Sequence, residues 1–249
     1  LISAFFVTFS VWEIAWSRQA RAYQQLQFFY LLSLLFFYKL VNDKKFRNFL
    51  LAALFTLFTI LSHGLGYALL LVYMVYMFIL GFKNLFKLKN FAQEFLKSAK
   101  REVMEFYKKH KVIFFILNLL ILFAFVYTTY KGLSIWMNLP NINVNYFEEY
   151  HGYVKQVHSV FYYLAFLGII IALKNFKAGL LLILSFLIPF FAISYYVYLF
   201  HYRYLYFILP ILFILSAYVI NYAINLSKLI KRYEHIVSIL IIILLITTL

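Results

Sequence analysis

Residues 204–224 read YLYFILPILFILSAYVINYAI and contain no charged side chain. Residues 178–197, AGLLLILSFLIPFFAISYYV, form a second run of this kind. An α-helix needs roughly 20 apolar residues to cross the hydrocarbon core of a bilayer, so each run is long enough for one crossing. Lipid offers no hydrogen-bond partner to free backbone groups, and neither run alternates polar and apolar residues. The two runs therefore predict membrane-spanning helices.

The composition of the whole chain indicates the same class of protein. Of the 249 residues, 66% are hydrophobic and 12% are charged. Soluble domains contain roughly 45–50% apolar and 25% charged residues. This balance excludes soluble globular, disordered and collagen-like proteins. The absence of cysteine excludes a disulfide scaffold, thiolate metal ligands and a cysteine nucleophile.

Apolar runs separated by short polar breaks predict an all-α, polytopic integral membrane protein with about nine transmembrane helices. Residues 48–82 are either two short helices joined at residues 62–66 or one bent hairpin, and the two glycines of this joint favour the break. We expect a single transmembrane domain over residues 1–249. The nine runs are residues 1–11, 23–41, 48–62, 65–82, 112–130, 157–173, 178–197, 204–224 and 236–249.

The net charge of +15 arises from 23 Lys and Arg residues against 8 Asp and Glu residues. Alternate breaks of a polytopic chain lie on the same side of the membrane. One set of breaks contains 18 of the 23 cations, and the other set contains 5. Because cytoplasmic loops are enriched in Lys and Arg, the first set is predicted to be cytoplasmic. Topology thus accounts for the charge without a nucleic-acid partner.

The longest basic break, residues 83–111, is predicted to form an amphipathic helix on the cytoplasmic membrane surface. Its apolar residues recur at helical spacing, with lysines between them. This pattern favours electrostatic anchoring to anionic membrane lipid, and the alternative is a partner-binding role. The apolar residues are Leu85, Leu88, Ala92, Phe95, Ala99, Val103 and Phe106.

The few cations on the predicted outer side are not explained by the orientation rule. The first group lies in residues 12–23, WEIAWSRQARAY, where Ser17, Arg18 and Arg21 share one face of a helix. Two guanidinium groups at the membrane surface form an anion site, because the planar guanidinium group donates two parallel hydrogen bonds to phosphate oxygens. The alternative is an interfacial belt, in which the aromatic residues lie at headgroup depth and the arginines snorkel.

The second outer group is His201-Tyr202-Arg203-Tyr204-Leu205-Tyr206, at the start of the apolar run 204–224. Arg203 is predicted to bind an anionic headgroup or a lipid phosphate. The alternative is again anchoring by an aromatic belt.

The third outer group lies in residues 131–158, which are predicted to be an outside loop. Glu148, Glu149 and His151 are candidate ligands for a divalent metal or a sugar, although their spacing matches no established metal motif. A solvated loop is the alternative. No cofactor is required by any motif in the chain, and a divalent metal at this loop is the one cofactor considered.

Two of these groups together resemble the GT-C glycosyltransferases, membrane enzymes that use polyprenyl-phosphate-linked sugars. The branch concerned includes protein O-mannosyltransferases and the lipid A aminoarabinose transferase. The similarity lies in residues 17–23, SRQARAY, and in Arg203-Tyr204 followed by Pro210. The break at residues 62–64 is similar to the small polar turn that joins two short helices in that branch. The resemblance covers most of the chain in topology and about 20 residues in motif.

The resemblance implies inverting sugar transfer from a polyprenyl-phosphate donor to a lipid, glycan or protein acceptor at the outer membrane face. Arg203, Tyr204, Arg18, Arg21 and Tyr23 are then expected to bind the donor phosphate. The acceptor pocket or a metal would be formed by Glu148, Glu149, His151, His158, His63 and His201.

No residue of the chain matches the family's catalytic acid, which lies in the first outside loop of the family. The chain is expected to begin near the third family span, so the general base is expected upstream of Leu1. Glu13 is the nearest carboxylate on the predicted outer side, but no family motif includes it.

A transporter or flippase of lipid-linked sugars is the main alternative, and a structural membrane subunit is another. A transporter needs polar groups near the membrane midplane. Few polar groups lie near the middle of the apolar runs, Asn118 among them, and His63 lies in the break between two short runs. This scarcity favours an enzyme acting at the membrane surface.

Overall fold

A computed structural model describes residues 2–17, 22–83, 85–109, 126–127, 130, 145–197 and 200–229. All the regular structure in these residues is helical, which confirms the predicted all-α class for the part of the chain that is described. The α-helices are α1 (Ile2–Phe9), α2 (Val11–Ser17), α3 (Ala22–Asp43), α4 (Phe46–Ser62), α5 (Ala68–Lys83), α6 (Leu85–Lys109), α7 (Phe147–Val157), α8 (Ser159–Ala172), α9 (Phe176–Tyr196) and α10 (Leu209–Leu229). Two short 3₁₀ helices span Gly64–Tyr67 and Tyr202–Leu205.

Three helical segments of the described residues are long and apolar enough to cross a membrane: Gly64–Gly81, Phe176–Tyr196 and Leu209–Leu226. The pair α7 and α8 passes the same test together but bends by 104° at His158, so it is either a broken span or a re-entrant segment. The chain is therefore a helical membrane protein. Most of the predicted run 112–130 and all of the run 236–249 lie outside the described residues.

The chain divides into two compact units, one formed by residues 1–24 with 143–249 and the other by residues 25–142. The prediction of a single transmembrane domain over 1–249 stays a prediction. Each unit has its own buried core, and the candidate site described below lies within the first unit.

In the first unit, α8 packs directly against α10. Gly168 on α8 makes this approach possible, because a Cβ atom at that position would lie 2.1 Å from the Leu215 carbonyl oxygen. The Ser216 hydroxyl donates a hydrogen bond to the Phe161 carbonyl oxygen at 3.0 Å. The rings of Phe161 and Phe213 meet edge to face at 4.8 Å, and Phe6 of α1 packs on Phe161 at 4.7 Å.

In the second unit, three hydroxyl groups join α3, α4 and α5. The Ser33 hydroxyl lies 2.6 Å from the Thr56 hydroxyl and 2.6 Å from the Tyr73 hydroxyl. Thr56 also donates to the Ala52 carbonyl oxygen at 2.7 Å. A polar group inside an apolar helical core costs several kcal/mol unless it is bonded, so this cluster stabilises one arrangement of the three helices.

Two contacts agree with the prediction that alternate polar breaks lie on the same side of the membrane. The ammonium group of Lys44, in the α3–α4 turn, forms an ion pair with Glu94 of α6 at 2.6 Å. In the first unit, the ammonium group of Lys174, in the α8–α9 turn, lies 4.2 Å from the ring centroid of Tyr222 near the end of α10. Within each unit taken by itself, the segments assigned to the basic side therefore lie at one end of that unit's helices.

Within the predicted outside loop, residues 131–158, residues 147–157 form helix α7. The side of the membrane on which this segment lies stays a prediction. Tyr150 and Val154, four residues apart, are buried on one face of this helix. The acids Glu148 and Glu149 lie in its first turn and Lys155 in its last, where they suit the helix dipole. The polar composition of the segment concealed a helix of only 11 residues.

Three predicted span boundaries also differ from the structure. The run 1–11 is divided at Ser10 between α1 and α2, and the span predicted from residue 157 follows the bend at His158. The span predicted from residue 204 begins at Leu209. Pro210 accounts for the last difference, since proline fits the first turn of a helix but blocks a helical approach from the preceding residues.

Substitution of Gly168 by Ala is expected to destabilise the first unit by about 1–3 kcal/mol, because the added methyl group would overlap the Leu215 backbone. The matched control is Gly152→Ala on α7, where no heavy atom lies within 4 Å of the new methyl group. Thermal unfolding in detergent should show a lower transition temperature for Gly168→Ala and an equal or higher one for Gly152→Ala. Equal transition temperatures for the two variants would contradict the close α8–α10 packing.

Candidate functional site

Segments from three separate parts of the chain meet at one end of the first unit. These are the start of α3, helix α7, and the 3₁₀ turn Tyr202–Leu205 that precedes α10. Tyr23 of α3 packs against Tyr204, with ring centroids 6.0 Å apart, and the hydroxyl of Tyr150 on α7 bonds to the backbone of His201. The charge alternation had assigned all three segments to the outer side, and the structure brings them together.

Arg203 lies at the centre of this group, in contact with two phenol rings. Its guanidinium carbon is 5.7 Å from the ring centroid of Tyr23 and 5.6 Å from that of Tyr204. Both tyrosines are buried. A guanidinium group within about 6 Å of an aromatic face is attracted by the ring quadrupole. The two rings therefore hold the cation in one place at the end of the helices.

The neighbours of Arg203 favour its charged form. Burial by itself lowers the pKa of Arg203, but hydrogen bonds and electrostatic attraction from the hydroxyl groups of Tyr204 and Tyr23 outweigh this effect, so the pKa is raised. The Nε atom of Arg203 is buried and has no hydrogen-bond partner among the described residues. A permanent cation with an unused buried donor is suited to an anionic ligand with several oxygens.

The Tyr202–Leu205 turn is held from the side of α7 by Tyr150. The Tyr150 hydroxyl donates to the His201 carbonyl oxygen at 3.3 Å and accepts from the His201 amide at 3.2 Å. Phe200 packs on the Tyr150 ring at 4.9 Å, and Tyr153 stacks on Tyr202 at 4.0 Å. One fully buried phenol thus positions the backbone just before Arg203.

The other side of the turn is held by a buried carboxylate. Glu13 of α2 is 4% exposed, and it is hydrogen-bonded to the hydroxyl of Tyr206, which is 2% exposed. Burial raises the pKa of Tyr206, and the negative charge and hydrogen bond of Glu13 raise it further. The phenol therefore stays protonated and donates to the carboxylate. The amide of Tyr206 also donates to the Arg203 carbonyl oxygen at 3.2 Å, so this contact acts on the same turn.

The α7 residues that were predicted to contact the sugar acceptor differ in their surroundings: two are exposed and one is hydrogen-bonded to a neighbouring helix. Glu148 and Glu149 are exposed in the first turn. His151 shares a hydrogen bond of 2.8 Å with the Tyr162 hydroxyl and stacks on Phe147 at 5.8 Å. The described residues contain no group of three His, Asp or Glu side chains that would hold a metal ion, so Glu148, Glu149 and His151 do not form one.

The other predicted histidines lie in different surroundings. His158 is buried at the α7–α8 bend with its ring edge-on to Phe213 at 5.8 Å, and its Nε2 atom has no partner within the described segments. His201 is exposed, with its ring 5.8 Å from Tyr204. His63 belongs to the second unit, where its Nδ1 atom accepts a hydrogen bond from the Leu65 amide at 3.1 Å and caps the 3₁₀ turn. His63 therefore has a local structural role at the predicted break.

Arg18 and Arg21 lie outside the described residues, so their predicted place beside Arg203 stays a prediction. Sequence reasoning missed Tyr150 and Tyr206 as parts of the site, and it gave Glu13 no role. The signal for Tyr150 was its spacing of four residues from Val154. The signal for Glu13 was a single carboxylate between apolar residues in a helix of seven residues.

Substitution of Tyr150 by Phe removes both hydrogen bonds to His201 and keeps the buried ring. Leaving the two backbone groups without partners costs about 1–3 kcal/mol, so opening of the turn should become roughly tenfold more frequent. Hydrogen–deuterium exchange at residues 201–205 measures this change. The control is Tyr163→Phe on α8, where the side chain is 56% exposed. Exchange that is equally slow in both variants would show that Tyr150 does not hold the turn.

Comparison with known proteins gives no relative for this chain. No family model matches it, and neither a curated protein nor a solved structure matches it. The group of residues around Arg203 is therefore the basis on which a function is assigned.

Proposed function

We propose that this protein is a GT-C-type glycosyltransferase that moves a sugar from a polyprenyl-phosphate donor to an acceptor at the outer face of the membrane. The position of Arg203 is the observation that supports this proposal most directly. Its guanidinium group lies over the rings of Tyr23 and Tyr204, with a buried Nε atom that has no partner among the described residues.

The depth of Arg203 supports a lipid phosphate as the ligand. The apolar helix α10 begins at Leu209, six positions after Arg203 in the chain, and its first 18 residues are apolar enough to cross a membrane. If α10 crosses the membrane, Arg203 would lie at the level where a phosphate headgroup meets the hydrocarbon. A polyprenyl tail would lie along the apolar helices, while the phosphate reaches the guanidinium group. Charge-assisted bonds of arginine to phosphate are about twice as strong as neutral hydrogen bonds.

The proposed chemistry is a single displacement. The oxygen of an acceptor hydroxyl attacks the anomeric carbon, and the bond between that carbon and the phosphate oxygen breaks. The bonding electrons leave with the polyprenyl phosphate, while the hydroxyl proton passes to a carboxylate acting as general base. Arg203 stabilises the negative charge that develops on the leaving phosphate, an effect that contributes several kcal/mol in a preorganised site of low dielectric constant.

The remaining features of the proposal follow from the GT-C resemblance. The chain would have about nine membrane spans, with the Arg203 turn on the outer side of a prokaryotic plasma membrane. Arg18 and Arg21 would join Arg203 at the donor phosphate. The exposed acids Glu148 and Glu149, together with His201, would contact the acceptor.

A flippase of lipid-linked sugars is the second candidate, because it would use Arg203 for the same headgroup. One observation favours it: the hydroxyl groups of Ser33, Thr56 and Tyr73 place a polar cluster between α3, α4 and α5. These hydroxyls are bonded to one another, however, and a cluster that is satisfied internally serves helix packing. The surface site is therefore the stronger basis for a function.

Substitution of Arg203 by Gln in the full-length protein should weaken the binding of polyprenyl phosphate by roughly tenfold to a hundredfold, because a hydrogen bond to a charged group contributes about 1.5–3 kcal/mol. The affinity of Arg203→Lys should lie between those of Arg203→Gln and the unchanged protein, because lysine keeps the positive charge but cannot form two parallel hydrogen bonds to phosphate. Native mass spectrometry measures binding, and release of polyprenyl phosphate from a labelled donor measures transfer. Lys155→Gln, an exposed cation on α7, is the matched control.

Equal binding by Arg203→Gln and the unchanged protein would contradict the phosphate role. Movement of the intact lipid across vesicles, with no release of sugar, would assign the protein to the flippase class instead.

A further inference from the structure

Helix α6 begins at the end of a membrane-crossing segment. The candidate span Gly64–Gly81 ends four positions before Leu85, where α6 starts. The sequence of α6 contains too many charged residues to cross a bilayer itself. The first turn of α6 therefore lies close to a membrane surface, at the same end of the second unit as the α3–α4 turn.

One face of α6 is packed against the protein. Phe95 meets Phe46 and Phe49 of α4, with ring centroids 6.0 Å and 5.4 Å away. The Ser98 hydroxyl accepts a hydrogen bond from the Phe46 amide at 3.5 Å, and Glu94 forms the ion pair with Lys44. Part of the apolar stripe that the sequence assigned to the membrane surface, at Phe95, therefore faces α4.

A different face of α6 is exposed and combines cations with large apolar side chains. Leu96 is 64% exposed, Met104 48% and Tyr107 42%. At roughly 100° of rotation for each residue, these side chains and the neighbouring exposed cations cover roughly 140° of the helix circumference. We call this set the exposed face of α6; it consists of Leu96, Lys97, Lys100, Arg101, Met104, Tyr107 and Lys108.

The charges around this face are unequal. The exposed face contains four cations and no acid. Of the two exposed acids described on α6, Glu94 is paired with Lys44, and Glu105 lies roughly 180° around the helix from Leu96. Cations interleaved with apolar side chains are the pattern of a helix that lies in the headgroup region, with the apolar groups entering the acyl boundary.

We propose that the exposed face of α6 binds anionic lipid headgroups on the membrane that contains α5. Its cations complement the negative charge of the lipid, while Leu96, Met104 and Tyr107 enter the interface between headgroups and acyl chains. The contacts of Phe95, Ser98 and Glu94 with the α3–α4 region hold the helix so that this face points away from α4. This proposal is independent of the reaction assigned to Arg203.

The absence of cysteine in the chain allows a direct test with single labels. Leu96→Cys on the exposed face and Glu105→Cys, which lies outside that face and roughly 180° around the helix from Leu96, are each labelled with an environment-sensitive fluorophore in the full chain. The labelled proteins are placed in nanodiscs of phosphatidylcholine alone or of phosphatidylcholine with phosphatidylglycerol. We expect a blue shift at position 96 that requires phosphatidylglycerol, and a much smaller shift at position 105.

The charge dependence is tested on the Leu96→Cys background. Each cation near an anionic surface contributes roughly fivefold to association, so Lys97→Gln/Lys100→Gln/Arg101→Gln should abolish the phosphatidylglycerol-dependent shift. Raising the salt concentration to about 0.5 M should reduce the shift in the unchanged protein, because exposed charges are screened. Lys97→Gln should weaken the shift, whereas the matched single substitution Lys155→Gln should leave it unchanged.

An equal blue shift in phosphatidylcholine alone would overturn the proposal, because it would not depend on lipid charge. A shift that appears only when two copies share a nanodisc would overturn it as well and would assign the face to contact between copies. An acidic protein partner would be indicated if phosphatidylglycerol caused no shift but an added acidic peptide did.

Discussion

A charged side chain in a lipid-embedded protein needs either water or a partner, and this constraint determines where the chain places its few charges. The apolar helices carry almost none, and the cations collect at their ends. The charges at the turn before α10 have specific neighbours: Arg203 lies against two phenol rings, and the buried Glu13 is bonded to a tyrosine hydroxyl. The turn before α10 therefore combines a cation and a carboxylate without placing either in plain hydrocarbon.

Aromatic residues supply most of the order around Arg203. Tyrosine can order such a turn because its ring is apolar and its hydroxyl still forms hydrogen bonds. Tyr150 uses both properties, since its ring is fully buried and its hydroxyl bonds to the backbone of His201. An aromatic belt would produce similar packing, whereas the buried Nε atom of Arg203 is the feature that a belt does not explain.

Several features were predictable because they depend on local pattern. The helical class follows from uninterrupted apolar runs, and the break at His63 follows from the glycines beside it. The contact of Lys44 with Glu94 agrees with the alternation of basic breaks. Helix α7 was not predictable in this way, because it is short and its buried face consists of Tyr150 and Val154 alone. The pairing of Glu13 with Tyr206 joins residues that are far apart in the chain, and no sequence pattern connects them.

The sequence by itself determined the membrane character and the helical class of this protein. Those properties depend on composition and on periods of a few residues, which are visible without contacts. Only the tertiary structure decided that Tyr23 and Tyr204 share the Arg203 cation, that Glu13 is buried, and that Phe95 rather than Leu96 faces α4. The physical reason is that burial and pairing depend on which helix faces meet. A helix that is apolar on all sides does not show in its sequence which face is packed, so the choice depends on close packing at positions such as Gly168.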